Sequence, residues 1–400
     1  MEPSSSSSRP YLPYDSILEI LSRLPVKTLV RFCCVCKLWR KLITSDGNFI
    51  TSHLQNTLNN NSKINSRGIK NVFLDCNRIL VGCTTCYERP DPRIKELTEQ
   101  FMISAGDSNL CRLLFAEGYF SFAGCFNGII CFYGECDYEC VPHIYLWNPA
   151  VNQCIILPRT ADWEWSHNVV CFTYDPVTED YQVVQISHQI EVGVFKFQIY
   201  SLSNNSWKPL SSGMHPPRNQ ILHLVSEYNW NAVVYNGFPH WLAKDKKDST
   251  LFMNILDMNQ EKIREILLPD SLSNHSHDPN LELFQGCLCI THGWNFSKVH
   301  PFELWVMKEH GEDISWTKQI VISGDSTIRP LPQRITGVTT IGNLLAAVKK
   351  DRLGRNFLVL YDPENQRVEE PMQKELEIPR VSVTYLAFDY VPSLVRLIRC

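Results

Sequence analysis

What this 400-residue chain has little of is net charge, and it lacks any feature that would carry it into or across a membrane. Its 38 Lys and Arg against 42 Asp and Glu leave a net charge of −4, so nothing in the balance favours a nucleic acid or an anionic lipid surface as partner. The start, Met1-Glu2-Pro3 followed by Ser4 to Ser8, has neither a basic stretch nor an apolar core and does not read as a secretory leader. No run approaches the roughly 18 apolar residues of a membrane span, and Leu397-Ile398-Arg399-Cys400 is not a prenylation box. The chain also has no Gly-x-Gly-x-x-Gly, no phosphate loop, no His-Glu-x-x-His and no nucleophile elbow. The expectation is a protein of the cytoplasm, the nucleus or both that is not an enzyme and holds no cofactor. In such a compartment the 16 cysteines stay reduced, as small buried hydrophobes. The sequons at Asn60, Asn204, Asn274 and Asn295 then go unused.

What is present is a chain with 44% hydrophobic residues, including 10 Trp, 15 Tyr and 19 Phe, a supply of aromatics that favours strands. The length suits two to three domains, or one large all-β unit with a small appendage. Residues 1–10 read as a disordered tail. Residues 12–43 differ from everything after them. Ile17, Ile20, Leu21 and Leu24 fall at helical spacing on one face, with Pro13 suited to the first helical position and Pro25 as a stop. Val26, Leu29, Val30, Phe32 and Cys33 begin a second apolar run, and Val35, Leu38, Trp39, Leu42 and Ile43 continue it. Three short helices are predicted. Below about 40 residues such a unit needs a disulfide, a metal or a partner. Cys33, Cys34 and Cys36 have no matching pair for zinc, so a partner is the economical reading.

The segment from Leu12-Pro13-Tyr14-Asp15-Ser16-Ile17-Leu18 through Leu24-Pro25-Val26 to Arg31-Phe32 resembles the F-box, as does Val35-Cys36-Lys37-Leu38-Trp39-Arg40-Lys41-Leu42-Ile43 with Phe49 and His53-Leu54. The resemblance implies an F-box at 11–54 that docks on a Skp-type adaptor and, through it, on a cullin and a RING subunit. The residues it implies at that contact are Leu12, Pro13, Ile17, Leu18, Ile20, Leu21, Leu24, Pro25, Val26, Leu29, Phe32, Val35, Cys36, Trp39 and Leu42.

Residues 55–68 are polar, Asn-rich and aperiodic, and read as a linker. From 69 to 400 the pattern is short strands between Gly, Pro, Asn and Asp clusters. A repeat recurs at Trp147-Asn148-Pro149-Ala150-Val151-Asn152, Tyr200 to Asn205, Leu256 to Gln260, Trp305 to Glu309 and Tyr361 to Asn365, a spacing near 50 residues that suits a kelch-type blade. The physical content is a side chain of Asp or Asn that bonds its own backbone two residues on, with Pro fixing the next φ. The copy at Trp305 lacks that chemistry. Tyr174-Asp175-Pro176-Val177-Thr178 reads as the other hairpin of a blade, and Asn127-Gly128 and Asn236-Gly237 as tight hairpin turns. The fold expected is mainly β, a three-helix module followed by a propeller of about six blades in which residues 69–120 and the C-terminal strand share one blade. A twisted β-sandwich is the alternative.

Phe126-Asn127-Gly128-Ile129-Ile130-Cys131, Leu146 to Ala150 with Leu157-Pro158, Tyr174-Asp175-Pro176 through Val184, His240-Trp241-Leu242 and Glu303 to Met307 resemble the plant F-box-associated domain. The resemblance implies a substrate receptor of a Skp–cullin–F-box ubiquitin ligase, which captures a target protein on the β-domain. An F-box module that senses a sugar or small ligand outside a ligase is the alternative. The target-binding residues are unknown; Trp163 and Trp165, flanking Glu164, are weak candidates as interface aromatics. Cys83 and Cys86 with Cys136 and Cys140 form a loosely spaced thiolate set that reads as reduced cysteine rather than zinc, and His275 and His277 as loop residues. No metal is expected.

Overall fold

The computed structural model describes residues 12–63, 70–75, 78–83, 120–134, 143–160, 167–189, 194–210, 220–222, 232–248, 250–269, 272, 279–292, 302–309, 315–322, 332–338, 344–349, 356–363, 367–368 and 386–397. The chain opens with α1 (Tyr14–Ser22), α2 (Val26–Phe32), α3 (Lys37–Ser45) and α4 (Gly47–Lys63). Each start has a local cause. Pro13 and Pro25 sit just outside their helices, with extended ψ, and their carbonyls accept the Ile17 and Leu29 N–H groups at 3.1 Å. They therefore launch helices rather than occupy the first helical position, and Pro25 opens α2 after α1 has ended at Ser22. The Cys36 thiol accepts the Trp39 N–H at 3.4 Å, and Asp46 Oδ1 accepts that of Phe49 at 3.0 Å, which starts α4.

The fourth helix corrects the expected organisation. The segment 55–68, read as a linker, is helical through 63 as the second half of α4. Phe49, His53 and Leu54 lie on one side of α4 and are buried. That docking carries the helix on into a polar stretch whose own propensity is weak.

The remaining chain is β1 (Lys70–Asp75), β2 (Arg78–Cys83), β3 (Phe120–Phe126), β4 (Ile129–Gly134), β5 (His143–Asn148), a 3₁₀ turn (Pro149–Val151), β6 (Gln153–Ile156), β7 (His167–Asp175), β8 (Asp180–Gln189), β9 (Val194–Ser201), β10 (Ser206–Pro209), β11 (Gln220–Leu222), β12 (Ala232–Tyr235), β13 (Phe238–Asp245), β14 (Leu251–Asp257), β15 (Lys262–Leu267), β16 (Asn280–Phe284), β17 (Cys287–His292), β18 (Phe302–Met307), β19 (Trp316–Ile322), β20 (Pro332–Val338), β21 (Leu344–Lys349), β22 (Asn356–Asp362), β23 (Arg367–Val368) and β24 (Leu386–Tyr390). All pairings are antiparallel. Four sheets are regular four-stranded blades: β3 to β6, β7 to β10, β16 to β19 and β20 to β23.

Regular blades thus number four where about six were expected, and each of the other two sheets departs for a visible reason. In the sheet of β11 to β15, β11 pairs with Ala243–Asp245 and β12 with Phe238–Trp241, so two short strands flank β13 where a regular blade has one. The last sheet joins the two ends of the β region, with β24 against β1 and β1 against β2. One strand of each sheet touches one of the next: β3 meets β7, β7 meets β12, β12 meets β16, β16 meets β20, β20 meets β24, and β24 meets β3.

The repeat falls at one structural place. Trp147, Tyr200, Leu256, Trp305 and Tyr361 all sit on the third strand from the inside, beside the turn into the outermost strand. In two copies the turn bonds as expected: Asn148 Oδ1 accepts the Ala150 N–H at 3.0 Å, and Asp257 Oδ1 that of Asn259 at 3.0 Å; in the Tyr200 copy Ser201 Oγ accepts the Asn204 N–H at 3.2 Å instead, and Asn205 Oδ1 accepts from the Tyr200 hydroxyl. Asp175 does the same for Val177 at 2.9 Å, at the hairpin of the first two strands. Both Asn-Gly pairs turn with positive φ, 50° and 77° at Asn127-Gly128 and 51° and 80° at Asn236-Gly237.

Candidate partner-docking face

The helical module has a core of its own and an uncovered side. Leu21, Val26, Leu29, Leu42, Ile43 and Phe49 are buried together, and Val151 and Leu394 from the β region complete the cluster. His53 Nε2 donates to the Leu24 carbonyl at 2.8 Å, which ties α4 to the corner between α1 and α2. Phe32 and Trp39 pack ring to ring at 5.2 Å.

The residues implied at an adaptor contact divide accordingly. Leu12, Pro13, Ile20, Pro25, Val35 and Cys36 are exposed; Ile17, Leu18, Leu24, Phe32 and Trp39 are half-buried. Leu21, Val26, Leu29 and Leu42 lie inside the core. There they hold the helices together and present no surface, which corrects their place in the expected contact set. The spacing of apolar residues shows which helix face is greasy but not how far α4 covers it. Tyr14 and Leu38, absent from that set, are on the open side. The exposed large hydrophobics of α1 to α3 and their connections are Leu12 (47%), Tyr14 (43%), Ile20 (52%), Val35 (60%) and Leu38 (53%), and α4 adds Leu58. Apolar exposure concentrated in so short a stretch of chain marks a candidate interaction surface.

Chemistry is sparse at this face. Cys34 and Cys36 are exposed free thiols. Burial pushes the Cys33 thiol up, and the Arg396 guanidinium pulls it the other way. Among the described residues no group of three or more His, Cys, Asp or Glu side chains is placed to hold a metal ion. The side chain of Cys83 together with Cys86, Cys136 and Cys140 falls outside the described residues, as do His275, His277, Trp163 and Trp165. His292 is buried on β17. No helix among the described residues is long and apolar enough to cross a membrane.

A shallow recess lies between β5 and β8, lined by His143, Leu157, Arg159, Gln185 and Trp207 among others. Arg159 donates to His143 Nε2 at 2.6 Å, and Trp207 Nε1 to the Pro158 carbonyl at 2.6 Å. It has room for little more than a water molecule, and its polar groups are spent on one another.

Two family models match. One is the F-box domain, over residues 10–51, and the other the F-box associated beta propeller domain, over residues 90–391. Among curated proteins the chain is similar to the F-box/kelch-repeat protein At3g23880 of Arabidopsis thaliana, 27% identical over 382 residues, 94% of each chain. It is also similar to the putative F-box protein At5g15660 of the same plant, 25% identical across 84% of this chain and 71% of that one. The F-box protein CPR1, again from Arabidopsis thaliana, is 25% identical across 80% of this chain and 74% of its own length.

Proposed function

Since the chain belongs to the family of F-box proteins that carry an F-box associated β-propeller domain, we propose that it is a substrate-recognition subunit of a Skp–cullin–F-box ubiquitin ligase. The F-box end docks on a Skp-type adaptor, and the β-domain holds a target protein for ubiquitination and degradation. The protein contributes proximity and orientation and leaves the covalent chemistry to the recruited conjugating enzyme.

The observation that carries this reading is the open apolar side of the helical module. Covering Leu12, Tyr14, Ile20, Val35 and Leu38 stabilises an adaptor complex by a gross term on the order of 5 kcal/mol, before association costs. In this reading the two irregular sheets complete a ring of six with the four regular blades, and 69–400 is one target-binding unit. Target capture falls to the end away from the F-box. In the β3 to β6 sheet the tight turns at Asn127-Gly128 and Pro149-Ala150-Val151 lie at the helical end, while β4 ends at Gly134 and β5 begins at His143 at the other.

The test is co-purification with a Skp-type adaptor. Ile20→Asp/Val35→Asp changes only exposed positions and is expected to leave folding intact and abolish capture. Equal capture by that variant and by Leu12→Ala/Pro13→Ala would remove the docking reading. The ligand-sensing alternative predicts instead a thermal shift with sugars and no adaptor capture.

A further inference from the structure

The last described residues, 391–397, run outside any helix or strand between the helical module and the β3 to β6 sheet. Successive side chains of this segment go to different partners. Leu394 is buried in the helical core, beside Leu21 and Leu29. The charge of Arg396 acts on Cys33 of the same module. Val395 and Leu397 instead pack into the core of the β3 to β8 region.

The sheet grips this segment through its backbone. Asn148 is fully buried, and its Nδ2 donates to the carbonyls of Val395 at 2.7 Å and Ser393 at 3.2 Å. Gln153 Oε1 accepts the Leu397 N–H at 2.9 Å. Gly128 leaves room for the segment to pass: a Cβ there would meet the Val391 carbonyl at 2.5 Å and Ser393 Oγ at 2.8 Å. The Asn of the Trp-Asn-Pro repeat therefore has two roles in this copy. Its Oδ1 makes the turn, and its Nδ2 holds the strap.

We propose that residues 391–397 are a coupling strap that fixes the F-box in one orientation on the β3 to β6 sheet, with Asn148 as the positioning residue that clamps it. Its consequence, a set distance between an adaptor at one end and a target at the other, rests on the reading in the preceding subsection. The coupling itself is a property of the chain alone and is tested without an adaptor, so either reading can fail while the other stands.

Asn148→Asp keeps the oxygen that accepts from Ala150 but cannot donate to the Ser393 and Val395 carbonyls. Amide hydrogen exchange on the full chain is expected to show Leu397 exchanging at least about tenfold faster, the cost of roughly one lost hydrogen bond to a buried acceptor. The Ala150 amide stays protected, and the maximum dimension from small-angle scattering increases. Unchanged Leu397 exchange with an unchanged scattering curve would overturn the proposal. If the aspartate unfolds the sheet, so that Ala150 exchanges as well, Gly128→Ala against Gly286→Ala carries the test. Both glycines have positive φ, +77° and +75°, but only Gly128 lies under the strap, and a Cβ at Gly286 meets nothing. The scattering dimension is expected to grow in Gly128→Ala and not in Gly286→Ala. The same scattering change in both, or in neither, would overturn the strap.

Discussion

The two ends of this chain treat the same kind of side chain in opposite ways. The β region folds its large aromatics inward until Trp147, Trp241, Tyr145, Phe172 and Phe252 are essentially sealed, sheet against sheet. The helical end has the same appetite for burial but only four short helices, and it leaves Leu12, Ile20, Val35 and Leu38 about half open. Among its described residues the β region exposes Ile156, Val177, Val194, Leu267 and Val321 as well, but each lies on a different strand or turn, and scattered exposure of that sort needs no partner. Concentration within a short stretch of chain, residues 12–38, rather than number, separates the helical end from the β surface.

The comparison is broken most directly at its two cores. Trp241→Ala empties a fully buried site in the β11 to β15 sheet and is expected to destabilise the β region by about 3–5 kcal/mol, and Leu29→Ala the helical core by about 2–5 kcal/mol. Calorimetry with adaptor capture separates them. Trp241→Ala lowers the main transition while the adaptor is still captured at low temperature. Leu29→Ala loses capture with the main transition in place. If Trp241→Ala abolished capture at temperatures where the helices remain folded, the two ends would not be separate units.

Much of this division is legible in the sequence, and the parts that are not have a common cause. The helices follow from apolar spacing and two prolines, and the turns from Asn-Gly and Asx chemistry, because those signals are local. The sorting of Leu21, Val26, Leu29 and Leu42 inward and of Tyr14 and Leu38 outward is not local. It depends on α4, hidden in an Asn-rich stretch, and on Leu394, more than 350 residues away in the chain. The sharing of one sheet by the two ends of the β region follows from the unassigned ends, but the split into β11 and β12 beside β13 is marked by no Gly or Pro, only by Ser226, Asn229 and Asn231 between them.

Thiols sharpen the contrast with a smaller effect. Cys34 and Cys36 at the helical end are exposed, whereas burial pushes Cys171 up to about 12 and Cys131 and Cys289 well above the ordinary thiol range. A group whose folded pKa is raised lends stability that is whole below its unfolded value, near 8.5–9, and is lost as pH climbs towards the folded one. The β transition is therefore flat in pH to about 8.5 and then falls, by up to ~1.4 kcal/mol per pH unit for each such thiol. At neutral pH a thiol reagent followed by mass mapping should label Cys34 and Cys36 well before Cys131, Cys171 and Cys289. Labelling of the three β-region thiols at the same rate would show that the sheets open as readily as the helices.

The smallest effect concerns charge on the open face. Glu19 and Arg23 stand one turn apart on α1, with Nη2 and Oε1 2.6 Å from each other, and their side chains are 65% and 70% exposed. At that exposure solvent screens most of the attraction, and holding two long side chains together costs entropy, so Glu19→Gln should shift stability by less than ~0.5 kcal/mol. The pair flanks Ile20, which makes it a probe of what holds a partner there. If apolar burial dominates, Glu19→Gln changes adaptor affinity less than about threefold, and raising salt from 0.05 to 0.5 M, which shortens the screening length to a few ångström, barely matters. A steep salt dependence that Glu19→Gln removes would make the open side an electrostatic face, and its apolar residues bystanders.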